Sequence, residues 1–283
     1  MCTLVLLRRP GAPWPVLIAA NRDEMQSRPW AAPARHWPDR PETLAGLDKM
    51  SGGSWLGLND HGVVAGILNR RGSLGPADGK RSRGEIVLEA LEHAEAEEAA
   101  KALGELEGSS YRSFNMLVAD AHKAYWLRNE GRDDGEIDVF EVPEGLSVFT
   151  AHDVNDPQSA RVRRALPRFR IAAAPDPENG DWSAWERLLA DRTRGDTADY
   201  GSAINLDNDE GFATVSSSLI ALSADPSRAP VWPAKLASTG PDQSRITRSA
   251  IFHAPPSRRK RSSYQPMTCS ACGPSPCRSA TAA

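Results

Sequence analysis

Cysteine is scarce and lopsided in this chain of 283 residues: of four cysteines, Cys269, Cys272 and Cys277 lie at the far end. The body therefore keeps Cys2 alone, and no disulfide framework staples it. Long apolar runs are missing as well. Nothing approaches the ~18–20 consecutive apolar residues of a membrane span, and the N-terminus has no apolar stretch followed by a cleavage site. The expectation is a cytoplasmic protein without a transmembrane segment. Excess positive charge is also lacking. The net charge is -3, and residues 251–283 hold Arg258, Arg259, Lys260, Arg261 and Arg278 without one acid, so the body is more acidic than the total suggests. An acidic body argues against nucleic acid as a general partner.

What is present gathers at the start of the chain. Thr3 opens into Leu4-Val5-Leu6-Leu7, a Pro/Gly turn spans residues 10–15, and Val16-Leu17-Ile18-Ala19-Ala20 ends in Asn21-Arg22-Asp23-Glu24. Two short apolar runs separated by Gly and Pro predict a β-hairpin with buried strands. Chain ends fray unless something ties them down; here the tie is a strand, and it holds a cysteine. Removal of Met1 would leave Cys2 with a free α-amine. A thiol with an ordinary pKa near ~8.5 and an amine near ~7.7–8.0 then sit on one residue, a nucleophile beside its own base. On residue type alone, Cys2 reads first as a small half-buried side chain that happens to follow Met1.

Further along, residues 25–50 lack periodicity and read as an ordered loop carrying Trp30 and Trp37. Gly52-Gly53 precedes a hairpin formed by 54–58 and 63–68, with Asn69 at the strand exit and Arg70-Arg71 opening a basic loop to Arg81, suited to a carboxylate or phosphate or simply to solvent. Ser82 with Glu85 three residues later suggests a capping box and one long helix to about Leu106. Residues 113–150 read as an antiparallel meander. A helix opens near Ser159 with Arg161 in its first turn, a second spans Trp182–Leu189, and Phe212–Leu222 is a clear strand. Residues 251–283 lack apolar periodicity and read as a disordered tail; the Cys-x-x-Cys at 269–272 has no evident fourth ligand for zinc.

Four motifs, Cys2-Thr3, Asn21-Arg22-Asp23-Glu24, Gly52-Gly53-Ser54-Trp55-Leu56-Gly57 and Thr214-Val215-Ser216-Ser217-Ser218, occur in the order found in the NRDE family, which this chain resembles over residues 1–250. That family is similar to the N-terminal-nucleophile (Ntn) hydrolases of the penicillin V acylase and bile-salt hydrolase type. The resemblance implies an α+β fold, a four-layer α-β-β-α sandwich, where periodicity alone implies only α+β. It also implies acyl chemistry. Cys2 would be the nucleophile, Asp23 would orient its amine, and Asn69 and His152 would hold the oxyanion, with Asn155 the alternative to His152. Asn21, Arg22, Trp55, Arg70 and Arg161 are the candidate substrate contacts. Two departures stand out: His152 occupies a place where the family has Asn, and Ala20 one where the hydrolases have Arg.

The substrate implied is a small acyl compound, with no resident cofactor and no metal. The competing expectation on the same scaffold is a non-catalytic protein that binds or traffics haem, lipid or acyl-CoA, with Cys2 lining the pocket or serving haem iron as a soft ligand. The sequence does not fix the oligomeric state.

Overall fold

Leu4 and Leu6 are buried on one side of the first strand and Val5 on the other, so that strand is a central layer covered on both faces. The structure is a computed structural model in which residues 2–194, 200–208, 210–232, 234 and 235 are described. The expected tail and most of the segment just before it lie outside these residues.

In chain order the strands are β1 (Thr3–Arg8), β2 (Val16–Met25), β3 (Trp30–Ala34), β4 (Thr43–Asp48), β5 (Leu56–Asn59) and β6 (Val64–Asn69). They continue with β7 (Phe114–Ala119), β8 (Ala124–Asn129), β9 (Asp138–Glu141), β10 (Gly145–Phe149), β11 (Phe212–Leu222) and β12 (Ala234–Lys235). The helices are α1 (Gly84–Ala90), α2 (Ala96–Gly104), α3 (Ala160–Ile171) and α4 (Ser183–Leu189). Two antiparallel sheets result. The first has the order β10-β1-β2-β11-β12 and the second β3-β4-β5-β6-β7-β8-β9.

Three apolar layers bind these elements together. Leu4, Leu6, Val16 and Ile18 of the first sheet meet Leu44, Leu56, Leu58 and Leu117 of the second. On the outer face of the second sheet, Ala65, Met116 and Val118 pack against Ile86, Val87, Ala99 and Leu103 of α1 and α2. On the outer face of the first, Val5, Leu17 and Ala19 pack against Val162, Phe169 and Trp185 of α3 and α4. The architecture is therefore α-β-β-α, as the resemblance implied.

Several local expectations need correction. The stretch 25–50 is not loop: it contributes β3 and β4, which form one edge of the second sheet. The tetrapeptide Asn21–Glu24 does not end its strand but lies within β2, which runs to Met25. The single helix from Ser82 is two helices. The Asn59 amide donates to the carbonyls of Leu91 at 2.9 Å and His93 at 2.7 Å, satisfying groups that α1 would otherwise carry forward into the next turn. The Asp120 carboxylate accepts the Ala96 N–H at 2.9 Å and starts α2 afresh. The meander stops at β9, because β10 crosses to the first sheet and pairs with β1, Leu4 opposite Phe149.

One irregularity bears on the site. In the ladder between β2 and β11, Thr214 faces Asp23 and Ser216 faces Arg22, so Val215 is an extra residue in a β-bulge.

Candidate active site

Strand alternation sorts the first residues of the chain onto two faces. Cys2 and Ala20 pack against the layer between the sheets. Thr3, Asn21 and Asp23 face α3 and α4, as their side-chain partners below establish. The Cys2 sulfur is half-buried and meets Asp23 through its peptide: the Asp23 N–H donates to Sγ at 3.4 Å, and Sγ lies 3.7 Å from the Asp23 carbonyl oxygen.

Across the strand, the Asp23 carboxylate is enclosed. One oxygen accepts from the Thr214 hydroxyl at 2.6 Å, and the other from Arg161 Nη1 at 2.6 Å. Arg161 also donates to the Thr3 hydroxyl and the Gly201 carbonyl, both at 2.9 Å. The side chains of Asp23 and Arg161 are 0 % and 2 % exposed, so this is a buried ion pair. Ser159 caps α3 by accepting the Val162 N–H and so fixes the turn that carries Arg161. Arg161, anticipated as a substrate contact, is spent on Asp23 and Thr3. Asn21 is spent too. It donates to the carbonyls of Leu189 and Ile204, both at 2.9 Å, and accepts from Ser217 at 2.7 Å, which ties β2 to the end of α4.

On the sulfur side, the Arg22 guanidinium lies 4.2 Å from the centre of the Trp55 ring, a stacked cation–π contact. Gly46 makes room for it, since a Cβ there would stand 2.4 Å from the Trp55 ring. Arg22 Nη2 is 3.5 Å from Asp48, while the buried Nη1 has no hydrogen-bond partner among the described residues. Cys2, Arg22, Trp55 and Ile67 form a neck between two hollows. One is a wide cleft of about 660 Å³ that Asn69 also lines; the other is a slot of about 20 Å³ between the sheets. Asn69 thus shares a cleft with Cys2.

The basic loop is more ordered than a solvated run of arginines. Arg83 donates to the carbonyls of Ser73 at 2.8 Å and Ser113 at 3.0 Å, and Arg112 to those of Leu74 and Gly72, both at 2.7 Å. These two arginines clamp the loop along the wall of the wide cleft. Burial, with the charge of Arg112 beside it, pulls Arg83 down to about 10. Lys80 and Arg81 line the same wall.

His152 and Arg70 lie elsewhere. They border a separate hollow of about 370 Å³ with Arg71, Glu130, Asp153 and Asp156, which Cys2 does not line. His152 Nδ1 is 3.4 Å from Asp156, and Arg70 donates at 2.7 Å to Asp153 and at 2.8 Å to Asn115. The placement of His152 beside the nucleophile is therefore corrected. The buried Asn115 amide donates to the carbonyls of Thr150 and His152, holding that turn on the second sheet. Asn155, the alternative, is a backbone mimic. Its φ is +59°, its N–H donates to the Val148 carbonyl at 3.0 Å, and its side-chain oxygen accepts the Val148 N–H at 2.8 Å.

Sequence reasoning did not single out Thr214 or Asn115. The signal for Thr214 was the run of hydroxyls in an otherwise apolar strand, which need partners. Asn115 had a weaker one, a lone amide inside Phe114–Ala119.

The charge environment of Cys2 follows from this placement. Burial raises its thiol above the ordinary range, and the Asp23 carboxylate adds to the rise. The Asp23 N–H and the Arg22 guanidinium pull the other way without cancelling it. Among the described residues no group of three or more His, Cys, Asp or Glu is arranged to hold a metal, and no helix is long and apolar enough to cross a membrane.

A family model described as Transport and Golgi organisation 2 matches residues 1–223. The Transport and Golgi organization protein 2 homolog of Bos taurus is 36% identical over 110 residues, 37% of this chain and 38% of that protein. The Homo sapiens homolog is 36% identical over 114 residues, 38% of this chain and 40% of its own length. The matched stretch thus spans well under half the length of these curated relatives. Among solved structures, the Caenorhabditis elegans N-acylethanolamine-hydrolyzing acid amidase ortholog superposes with a TM-score of 0.52, covering 89% of this chain and 100% of that one at 13% identity. At that identity the likeness speaks to the fold, which is the Ntn-hydrolase sandwich. The family match takes in all four motifs, and by it this chain belongs to the Transport and Golgi organisation 2 family, the NRDE family of those motifs.

Proposed function

We propose that this protein is an N-terminal-cysteine acyl hydrolase that cleaves an amide or related acyl bond of a small substrate. The observation that carries the reading is the position of the Cys2 sulfur, in the neck of a cleft and on the strand next to a carboxylate fixed by two buried partners. With Met1 removed, the Cys2 α-amine takes the thiol proton as sulfur attacks the acyl carbon. Asp23, pinned by Arg161 and Thr214, orients that amine. The new oxyanion has two neutralising candidates on the cleft wall: the Asn69 amide and the unspent Nη1 of Arg22. Collapse breaks the C–N bond, and the proton leaves on the departing amine. Water then adds to the thioester, the C–S bond breaks, and sulfur regains a proton.

A raised thiol pKa suits this sequence. A thiolate from a less acidic thiol is the stronger nucleophile once its base has taken the proton. Arg22, Arg28, Lys80, Arg81, Arg83 and Arg112 outnumber Asp23, Glu24 and Asp48 around the wide cleft, which favours a leaving portion with acidic character. The haem-carrying alternative draws less support. No histidine stands among the described residues lining the Cys2 cleft to share an iron with the sulfur.

Intact-mass spectrometry after exposure to a p-nitrophenyl acyl ester tests the reading. The expected result is a chain lacking Met1 that gains one acyl group on Cys2, with no gain in Cys2→Ala. Met1 retained on all molecules, or an acyl group that persists in Cys2→Ala, overturns it. A binding-only role predicts instead that ligand affinity survives Cys2→Ala, and a haem role predicts a Soret band that is lost with Cys2.

A further inference from the structure

We infer that the site accepts only short acyl groups, held between the two sheets, and that the larger part of the substrate is its leaving portion. This rests on the acyl-transfer reading of Cys2 and specifies its substrate class.

The two hollows that meet at the neck are very unequal: about 20 Å³ on one side of Cys2 and about 660 Å³ on the other. A void needs roughly 10–15 Å³ to hold one water molecule. The slot thus takes a group of about methyl size and little more. Its walls are Leu4, Ala20, Leu56 and Leu68, with the hydroxyls of Ser216 and Ser218 on one strand. Leu4, Leu56 and Leu68 belong to the packed layer between the sheets, so the slot cannot lengthen without opening that layer. The wide cleft is lined by charged side chains and by the clamped basic loop.

Direction follows from the chemistry. Acyl transfer through a thioester needs a route out for the leaving group and a route in for water. A slot of about 20 Å³ walled by packed leucines is too small to pass a leaving group. The wide cleft offers both routes. The carbonyl carbon therefore sits at the neck on Cys2, the acyl tail points into the slot, and the leaving portion occupies the cleft. Ile67 lines both hollows and stands at the entrance to the slot. Ala20 lines the slot wall and, being small, leaves what room there is.

The test is a chain-length series with one leaving group: acetyl, butyryl and octanoyl p-nitrophenyl esters, read as the rate of acyl mass gain on Cys2 of the Met1-free protein. One added methylene in a filled pocket costs about tenfold or more, so acetyl should acylate Cys2 at least about tenfold faster than octanoyl. Ala20→Val should reduce even acetyl transfer, and circular dichroism confirms that the variant folds. Acylation of Cys2 with no length dependence, or faster with octanoyl, overturns the short-acyl slot while leaving Cys2 as the nucleophile. No acyl gain on Cys2 with any ester overturns the slot together with the reading on which it rests.

Discussion

Two clusters of opposite charge flank β1 and β10, and they are built to different standards. Asp23 and Arg161 are sealed between the first sheet and α3, with side chains 0 % and 2 % exposed and each oxygen of the carboxylate assigned a donor. Arg70, Arg128, Asp138 and Asp153 form a longer chain of pairs near His152, but Asp153 is 40 % exposed and water competes for it. The same residue types thus do different things. In a buried pair water cannot replace a lost partner, whereas an open network shares charge among several partners and solvent. The cluster with fewer contacts is the one in which single residues matter.

Removing one member of the sealed pair is the most severe way to test this difference. Arg161→Ala or Asp23→Leu should cost about 3–5 kcal/mol in denaturant unfolding, because each change removes a buried charge that the remaining ion is paired with. If either variant unfolds within 1 kcal/mol of the parent, the pair is not sealed in solution. Asn21→Ala should come next, at about 1–3 kcal/mol, since it takes the amide partner from the Ile204 carbonyl and the Ser217 hydroxyl and one of two donors from the Leu189 carbonyl where β2 meets α4. Its unfolding midpoint should fall well below that of a surface alanine substitution.

A titration sharpens the comparison on the sulfur side. With Cys269, Cys272 and Cys277 replaced by serine, the rate of iodoacetamide labelling of Cys2 should reach its midpoint above the ~8.5 of a free thiol. Asp23→Asn should move the midpoint down and Arg22→Gln should move it up. The linked stability runs the same way. The folded chain holds the thiol proton more tightly than the unfolded chain, so this group's contribution is complete below the unfolded pKa and is lost as pH rises through the folded one. The smallest effect belongs to the open network. Arg128→Ala should change stability by no more than about 1 kcal/mol, and less at 1 M salt, because Arg128 is only one of several cations around Asp153 and Asp138.

Much of this was readable from residues 1–25. Two apolar runs around a Pro/Gly turn specify β1 and β2, and the spacing of Cys2 and Asp23 on paired strands puts them side by side. Period-two and period-3.6 patterns likewise located β5 to β8, α3, α4 and β11. The misses have particular causes. The strand Thr43–Asp48 was hidden by a loop rich in Pro and Trp, and its pattern is weak because Gly46 has no side chain to alternate. The break between α1 and α2 depends on Asn59 and Asp120, which reach it from distant positions in the sequence and leave no local mark there. The placement of His152 failed at the turn after β10. That strand joins β1 with Phe149 opposite Leu4, but Asn115 holds the His152 carbonyl and Asp156 faces its ring, so the side chain borders a different hollow from the one that holds Cys2.

Val215 has a consequence out of proportion to its size. A regular strand would show Thr214, Ser216 and Ser218 to one layer and Ser217 to the other. The inserted residue shifts the phase by one, so Thr214 and Ser217 serve the helical side while Ser216 and Ser218 wall the space between the sheets. A stretch of nearly uniform hydroxyls thereby supplies two separate layers at once. Deleting Val215 would leave the composition of that stretch nearly unchanged and still deny Asp23 its hydroxyl, or the slot its polar wall.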